Sequence, residues 1–92
     1  MSNSLQNITI LITSLPNSDI SLGMKFLKNR QFEYLKELVD SAIIRVKKNI
    51  KSDNPKAEYV EVNMDKLNML KAEVDVYFMQ LELPQEEEEM YE

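Results

Sequence analysis

The densest chemistry in this 92-residue chain is a run of four carboxylates, Glu86, Glu87, Glu88 and Glu89, and a basic cluster at Arg45, Lys47, Lys48 and Lys51. Cysteine, histidine and tryptophan are absent, which removes thiol nucleophiles, imidazole bases, disulfides and zinc sites built on Cys or His in one step. Two carboxylates act as acid and base only in a pocket that sets their pKa values apart, and a few short helices rarely enclose one. The expectation is a protein without catalytic residues or cofactor. The glutamate run has neither the alternating oxygen ligands nor the turn glycine of a calcium loop, and it reads as a solvated acidic tail.

The basic cluster offers phosphate contacts, but no aromatic residue is interleaved with it to stack on bases, and the chain carries a net charge of −5. Direct nucleic-acid binding is therefore not expected. Lysines in the last turn of a helix complement its dipole without any ligand. A third group, Met69, Tyr77, Phe78 and Met79, has the residue types of a protein-contact hot spot, and the same types also build ordinary cores.

These residues are positioned by amphipathic segments. Leu22 to Ala42 holds two of them and the break between, and reads as a helical hairpin. In the first, from Ser18 to about Asn29, Ile20, Met24 and Leu27 point inward with Leu22 and Phe26 flanking, after a turn at Pro16-Asn17-Ser18-Asp19 in which Asn17 or Ser18 caps the helix. Gly23 inside a helix costs about 1 kcal/mol relative to alanine, so it marks a close approach of another element. Asn29-Arg30-Gln31 is the break, with Asn29 suited to the left-handed conformation. The second segment, Gln31 to Ile50, carries Phe32, Leu35, Val39, Ala42, Val46 and Ile50 as one stripe, widened by Leu38 and Ile43.

The N-terminal stretch places Leu5, Ile8, Leu11, Ile12 and Leu15 on a helical face between a Ser4 cap and Pro16. Ile8, Ile10 and Ile12 also alternate as in a strand, but the nearest strand to pair with is the very short Tyr59–Val62, so helix is preferred. Ser52-Asp53-Asn54-Pro55 is a turn, and Lys56 to Val62 reads as irregular or briefly extended. A last helix starts at Asn63 or Met64 and runs to about Leu83. It carries a stripe of Leu67, Leu70, Val74, Tyr77, Phe78 and Leu81, while Met64, Met69, Val76 and Met79 fall partly outside that stripe and imply a second contacted face. No apolar run approaches 18 residues and the N-terminus lacks a basic lead region, so neither a membrane span nor a signal peptide is expected, and the cytoplasm or a particle assembled there is the expected location.

Charge divides the chain. Residues 25–51 hold eight basic against three acidic residues, and residues 52–92 hold three basic against twelve acidic. The acidic tail is thus complementary to the basic end of the second hairpin helix, in the same subunit or in a neighbour.

Gly23, Phe26, Leu27, Phe32, Leu35, Val39 and Ala42 resemble the spacing of one tetratricopeptide motif. The resemblance departs at Arg30, where a small residue is usual, and at Leu35, where Ala is usual; no second copy occurs, and a lone unit of this kind cannot bury its own face. The phrases MKFLKNRQFEYLKELVDSAI and LKAEVDVYFMQLEL also look like small proteins of tailed phages of Bacteroides-type bacteria, including crAss-like phages. That resemblance implies a virion component packed against other structural proteins, and carries no residue assignment.

The expected architecture is all-α: a helical hairpin plus a third long helix in a bundle of three or four, with residues 1–84 as one domain and residues 85–92 as an acidic tail. A domain of this size buries roughly 60–65% of its unfolded surface, so added burial against a partner is expected. The expected function is a structural or interaction protein in a homo-oligomer or larger assembly. The alternative is a soluble adaptor whose acidic tail mimics nucleic acid. Its candidate contact residues are Met69, Tyr77, Phe78, Met79, Arg45, Lys47, Lys48, Lys51 and the four glutamates.

Overall fold

A computed structural model describes residues 4–82, with the backbone alone at Leu81 and Glu82. Among these residues the chain is all-α: α1 (Ser4–Leu11), a 3₁₀ turn (Ile12–Ser14), α2 (Asn17–Lys28), α3 (Phe32–Ile50), the single-turn α4 (Ala57–Val60) and α5 (Met64–Glu82). Helix α5 lies between α1 and α3, while α2 folds back on α3 and on the 3₁₀ turn. The core is built from Ile8, Ile12, Leu15, Leu35, Val39, Val46, Leu67, Leu70 and Val74, each at most 3% exposed, with Phe32, Ala42, Ile43 and Tyr59 around them.

The β-branched N-terminal segment is helical because that conformation buries Ile8 and Ile12 on one face, and its hydroxyls are satisfied locally. Thr9 Oγ1 donates to the Leu5 carbonyl at 2.9 Å and Ser14 Oγ to the Leu11 carbonyl at 2.6 Å, which ties each side chain to the turn before it. Ile8 and Ile12 enter the core while Ile10 is 64% exposed, the spacing of a helix face and not the alternation of a strand. Ser4 is buried within the first turn of α1.

The start of α2 is capped from outside. No side chain of Asn17 or Ser18 caps it; Pro16 occupies the N-cap, and the Glu58 carboxylate accepts from the Ser18 N–H and the Ser18 hydroxyl, both at 3.1 Å. A proline N-cap has no side-chain acceptor, so the α4 carboxylate supplies one at the positive end of the dipole. Gly23 is buried against the 3₁₀ turn: a Cβ there would lie 2.8 Å from Leu15 Cδ1 and 3.1 Å from Ile12 Cδ1. The close approach is real, and its partner is the preceding segment. Met24, expected inside, is 48% exposed, because Gly23 and the partly buried Ile20, Phe26 and Leu27 form the inner face.

The α2–α3 break uses Arg30 and not Asn29: Arg30 has φ +60°, Asn29 −89°. The Gln31 N–H donates to the Phe26 carbonyl at 2.8 Å and the Arg30 N–H to the Leu27 carbonyl at 3.2 Å. These two bonds define a Schellman ending, which requires the left-handed residue one position after the C-cap. Phe32 to Val46 then run as the expected stripe, while Ile50 is 46% exposed at the helix end. Residues 57–60, expected to be irregular or extended, make a helical turn closed by the Tyr59, Val60 and Glu61 N–H groups. Asn63 caps α5, its Oδ1 accepting from the Lys66 N–H at 3.2 Å.

Helices α3 and α5 are antiparallel and joined by four charges. Lys36 Nζ lies 3.1 Å from Asp40 and 3.3 Å from Asp75, and Lys71 Nζ lies 2.8 Å from Asp40 and 3.1 Å from Asp75. Each helix contributes a Lys and an Asp four residues apart, so opposite charges alternate around a closed ring. Asp75 Oδ1 is buried and makes no well-aligned hydrogen bond, so Lys36 serves it by charge alone.

Candidate functional site: the outer face of helix α5 and the basic end of α3

Helix α5 is apolar on two opposite sides. Leu67, Leu70 and Val74 are buried, with Tyr77 and Phe78 packed partly against the same core. The other side carries Met69, Ala72, Val76 and Met79 at successive spacings of three, four and three, all exposed: Met69 56%, Val76 45% and Met79 62%. At 100° per residue these four fall within roughly 80° of arc, opposite the buried stripe. Their spacing is that of the a and d positions of a heptad.

Two of the candidate contact residues therefore belong elsewhere. Tyr77 meets Phe32 edge-on across the α3–α5 interface, centroids 4.8 Å apart at 60°, and Phe78 is half-buried against the core; at 100° per residue they lie about 20° to either side of the buried stripe. Met69 and Met79 stand outside. The sequence reading set Val76 on a second contacted face with Met69 and Met79 but left it out of the candidate contact residues, and it passed over Ala72, whose small side chain gives no apolar signal although its spacing from Met69 fits.

Arg45 also leaves the candidate set. Its guanidinium donates to Asp19 Oδ2 at 2.8 Å, to the Tyr59 hydroxyl at 3.1 Å and to Ser41 Oγ at 3.2 Å, joining α2, α3 and α4. Burial pulls its pKa down, but the bonds to Asp19 and then Tyr59 outweigh burial and raise it. Its planar fork is used inside the fold, as lysine could not be. Lys47, Lys48 and Lys51 are exposed at the end of α3. Lys48 and Lys56 flank a shallow groove of about 330 Å³ floored by Asn49 and Tyr59. The α3–α4 loop beside it is held by the Lys56 N–H on Asn49 Oδ1 at 2.7 Å. Glu86, Glu87, Glu88 and Glu89 lie outside the described residues.

A second open groove, about 390 Å³, lies between the 3₁₀ turn and the start of α5, its lining including Ile10, Leu11, Val62, Glu58, Glu61 and Lys66. Glu58 is committed to the α2 N-terminus. Among the described residues no three carboxylates converge as a metal-ligating group, and no helix is long and apolar enough to cross a membrane. Comparison with known protein families, characterised proteins and solved structures finds no match to this chain.

Proposed function

We propose that this chain works by contact, as a small structural or assembly subunit that packs through the outer face of α5 against another protein chain. The carrying observation is the second apolar face: Met69, Val76 and Met79 are each about half or more exposed on a helix whose opposite face is already in the core. Single exposed apolar residues are ordinary. Apolar residues repeated at heptad spacing along one helix face are a partner-helix surface. Methionine suits such a surface because its flexible thioether adapts to the facing side chains. The virion role implied by the phage resemblance is one form of this reading, since a subunit of this size gains stability from burial in an assembly.

Photo-crosslinking in the cell that makes the protein tests the reading. A photoreactive residue at position 69 or 79 should give adducts of discrete mass, and the same residue at Ser21, exposed on α2, should not. Absence of discrete adducts at both methionine positions would overturn it.

A further inference from the structure

We infer that the groove at the end of α3 is a binding site for a phosphate group, carried by a small phosphorylated molecule or free in solution. The groove is lined by Arg45, Lys48, Asn49, Ser52, Lys56 and Tyr59, a set with three cations and no carboxylate. Arg45, Lys48, Asn49 and Ser52 recur at spacings of three, one and three, which sets them on one face of α3 and of the turn that ends it. Asn49 draws the following loop back onto that face. Its side-chain oxygen accepts from the Lys56 N–H and its carbonyl accepts from the Ser52 hydroxyl, both at 2.7 Å. The returning loop brings Lys56, and with α4 Tyr59, into the same lining as Lys48. Arg45 donates to the Tyr59 hydroxyl at 3.1 Å and ties α4 to α3. The lining is therefore held by the fold's own bonds, which lowers the ordering cost of taking up a ligand.

The unused groups of this lining are donors. Among the described residues Lys48 and Lys56 make no ion pair, and neither do Lys47 and Lys51 beside them. A guanidinium has five N–H groups; Arg45 directs three of them to Ser41, Tyr59 and Asp19, which leaves two. Tyr59 is 8% exposed, and its hydroxyl accepts from Arg45 while its own proton meets no acceptor among the described residues. An oxygen in the groove would accept that proton, and a donor in so buried a residue is costly to leave unmade. Asp19 balances the charge of Arg45, and Glu58 serves the start of α2. Asp53 is exposed in the turn and outside the lining, so the charges of Lys48 and Lys56 stand uncompensated. Clustered donors with excess positive charge select a ligand that is all acceptor. A phosphate group presents three terminal oxygens and nearly two negative charges, where a carboxylate presents two oxygens and one charge. A nucleobase finds nothing to stack on, because the Tyr59 ring is buried and no other aromatic residue lines the groove. A volume of about 330 Å³ is at the small end of ligand sites and suits a monophosphate.

Amide NMR titration of the full chain at constant ionic strength tests the site. Inorganic phosphate and glycerol phosphate should each give saturable shifts confined to residues 45–59, and acetate should give none that saturate. Tighter binding of glycerol phosphate points to a phosphorylated molecule and tighter binding of inorganic phosphate to the free anion; either result upholds the site. Lys48 and Lys56 are exposed, so their substitution leaves the core intact. Lys48→Gln and Lys56→Gln should each weaken binding about tenfold, the loss of one charge-assisted hydrogen bond. Lys28→Gln removes the same charge at the α2–α3 break and should leave binding unchanged. Tyr59→Phe keeps the ring and should weaken binding severalfold. Shifts that spread over Lys25, Lys28 and Lys66 without saturating would overturn the site, as would full binding by both Lys48→Gln and Lys56→Gln. Acetate binding as tightly as phosphate would overturn the choice of ligand. So would a single-stranded oligonucleotide that binds at these residues and is not displaced by phosphate. None of these readouts involves the outer face of α5, so the phosphate site and the contact role stand or fall separately.

Discussion

Gly23 and Arg30 are the two positions where one side-chain choice is felt by the whole hairpin. Replacing Gly23 by Ala gains about 1 kcal/mol of helix propensity, but the new methyl would sit 2.8 Å from Leu15 Cδ1 and 3.1 Å from Ile12 Cδ1. Leu15 and Ile12 are 3% and 1% exposed, so neither moves without disturbing the core, and overpacking of this kind costs about 1–3 kcal/mol. Gly23→Ala should therefore destabilise by about 1 kcal/mol net in urea unfolding; a stabilised variant would show that Leu15 repacks freely. Arg30 presents the opposite case. A left-handed non-glycine residue costs about 1–2 kcal/mol, its side chain is exposed, and glycine returns part of the gain as unfolded-state entropy. Arg30→Gly should stabilise by about 0.5–1 kcal/mol, read as a higher urea midpoint at unchanged slope. The presence of a close contact was legible from a glycine inside an apolar helix, but not its partner, because sequence spacing does not say which element lies opposite. Likewise the break was legible, yet the left-handed residue was not: the Schellman bonds fix it one place after the C-cap, and Arg30, not Asn29, stands there.

At the scale of elements, charge and apolar pattern do separate jobs. The α3–α5 ring holds the antiparallel register, and its titration has a definite sign. Burial pushes the Asp40 pKa up, but hydrogen bonds from Lys71 and then Lys36 outweigh burial and leave it below the ordinary carboxylate value. Bonds to Asp40 and then Asp75 raise Lys71, and the bond to Asp40 and then the neighbouring Asp75 carboxylate raise Lys36. A depressed Asp contributes stability that is present above its unfolded pKa of about 4 and lost as pH falls through the folded value. A raised Lys contributes stability that is present below its unfolded pKa of about 10.5 and lost as pH rises through the folded value. The ring's contribution should therefore be flat between about pH 5 and pH 9.5 and fade on both sides. These side chains are 33–40% exposed, so solvent screening keeps each pair below about 1 kcal/mol. In Asp40→Asn, stability at pH 7 should fall by about 1 kcal/mol and the gap from wild type should close below pH 3; an unchanged gap across the whole acid limb would remove Asp40 from the ring's energetics. None of the four partners was legible individually, since an i,i+4 Lys–Asp pair occurs on each helix without implying that the two helices meet there. The helices themselves were legible where one stripe dominated, as in α3. In α5 two stripes share one helix, which blurred the assignment of Tyr77 and Phe78, and α4 was too short for any period to show.

For the molecule as a whole, stability is a matter of burial. The core described above rests on thirteen buried apolar residues, and a chain of this length leaves a large fraction of its apolar surface in water. Among the described residues ten large apolar side chains are exposed, three of them on the outer face of α5. If a second copy covers that face, burial is added only in the folded, paired state and association and folding are linked: mass action stabilises the dimer as concentration rises, and the unfolded chain gains nothing from it. Each tenfold increase in concentration lowers the free energy of the paired state relative to two unfolded chains by about 1.4 kcal/mol per dimer. Shared between two chains of this size, that is about 0.7 kcal/mol each, which corresponds to an upward shift of about 3–5 °C in the unfolding midpoint. Val76→Glu places a charge in the middle of the exposed α5 face and would remove that linkage without touching the buried stripe. Calorimetry or circular dichroism across a hundredfold range should accordingly show wild-type Tm rising by about 6–10 °C and the variant's Tm unchanged. A wild-type Tm independent of concentration would mean that folding is complete within one chain, and that the outer face of α5 adds nothing to it by pairing with itself.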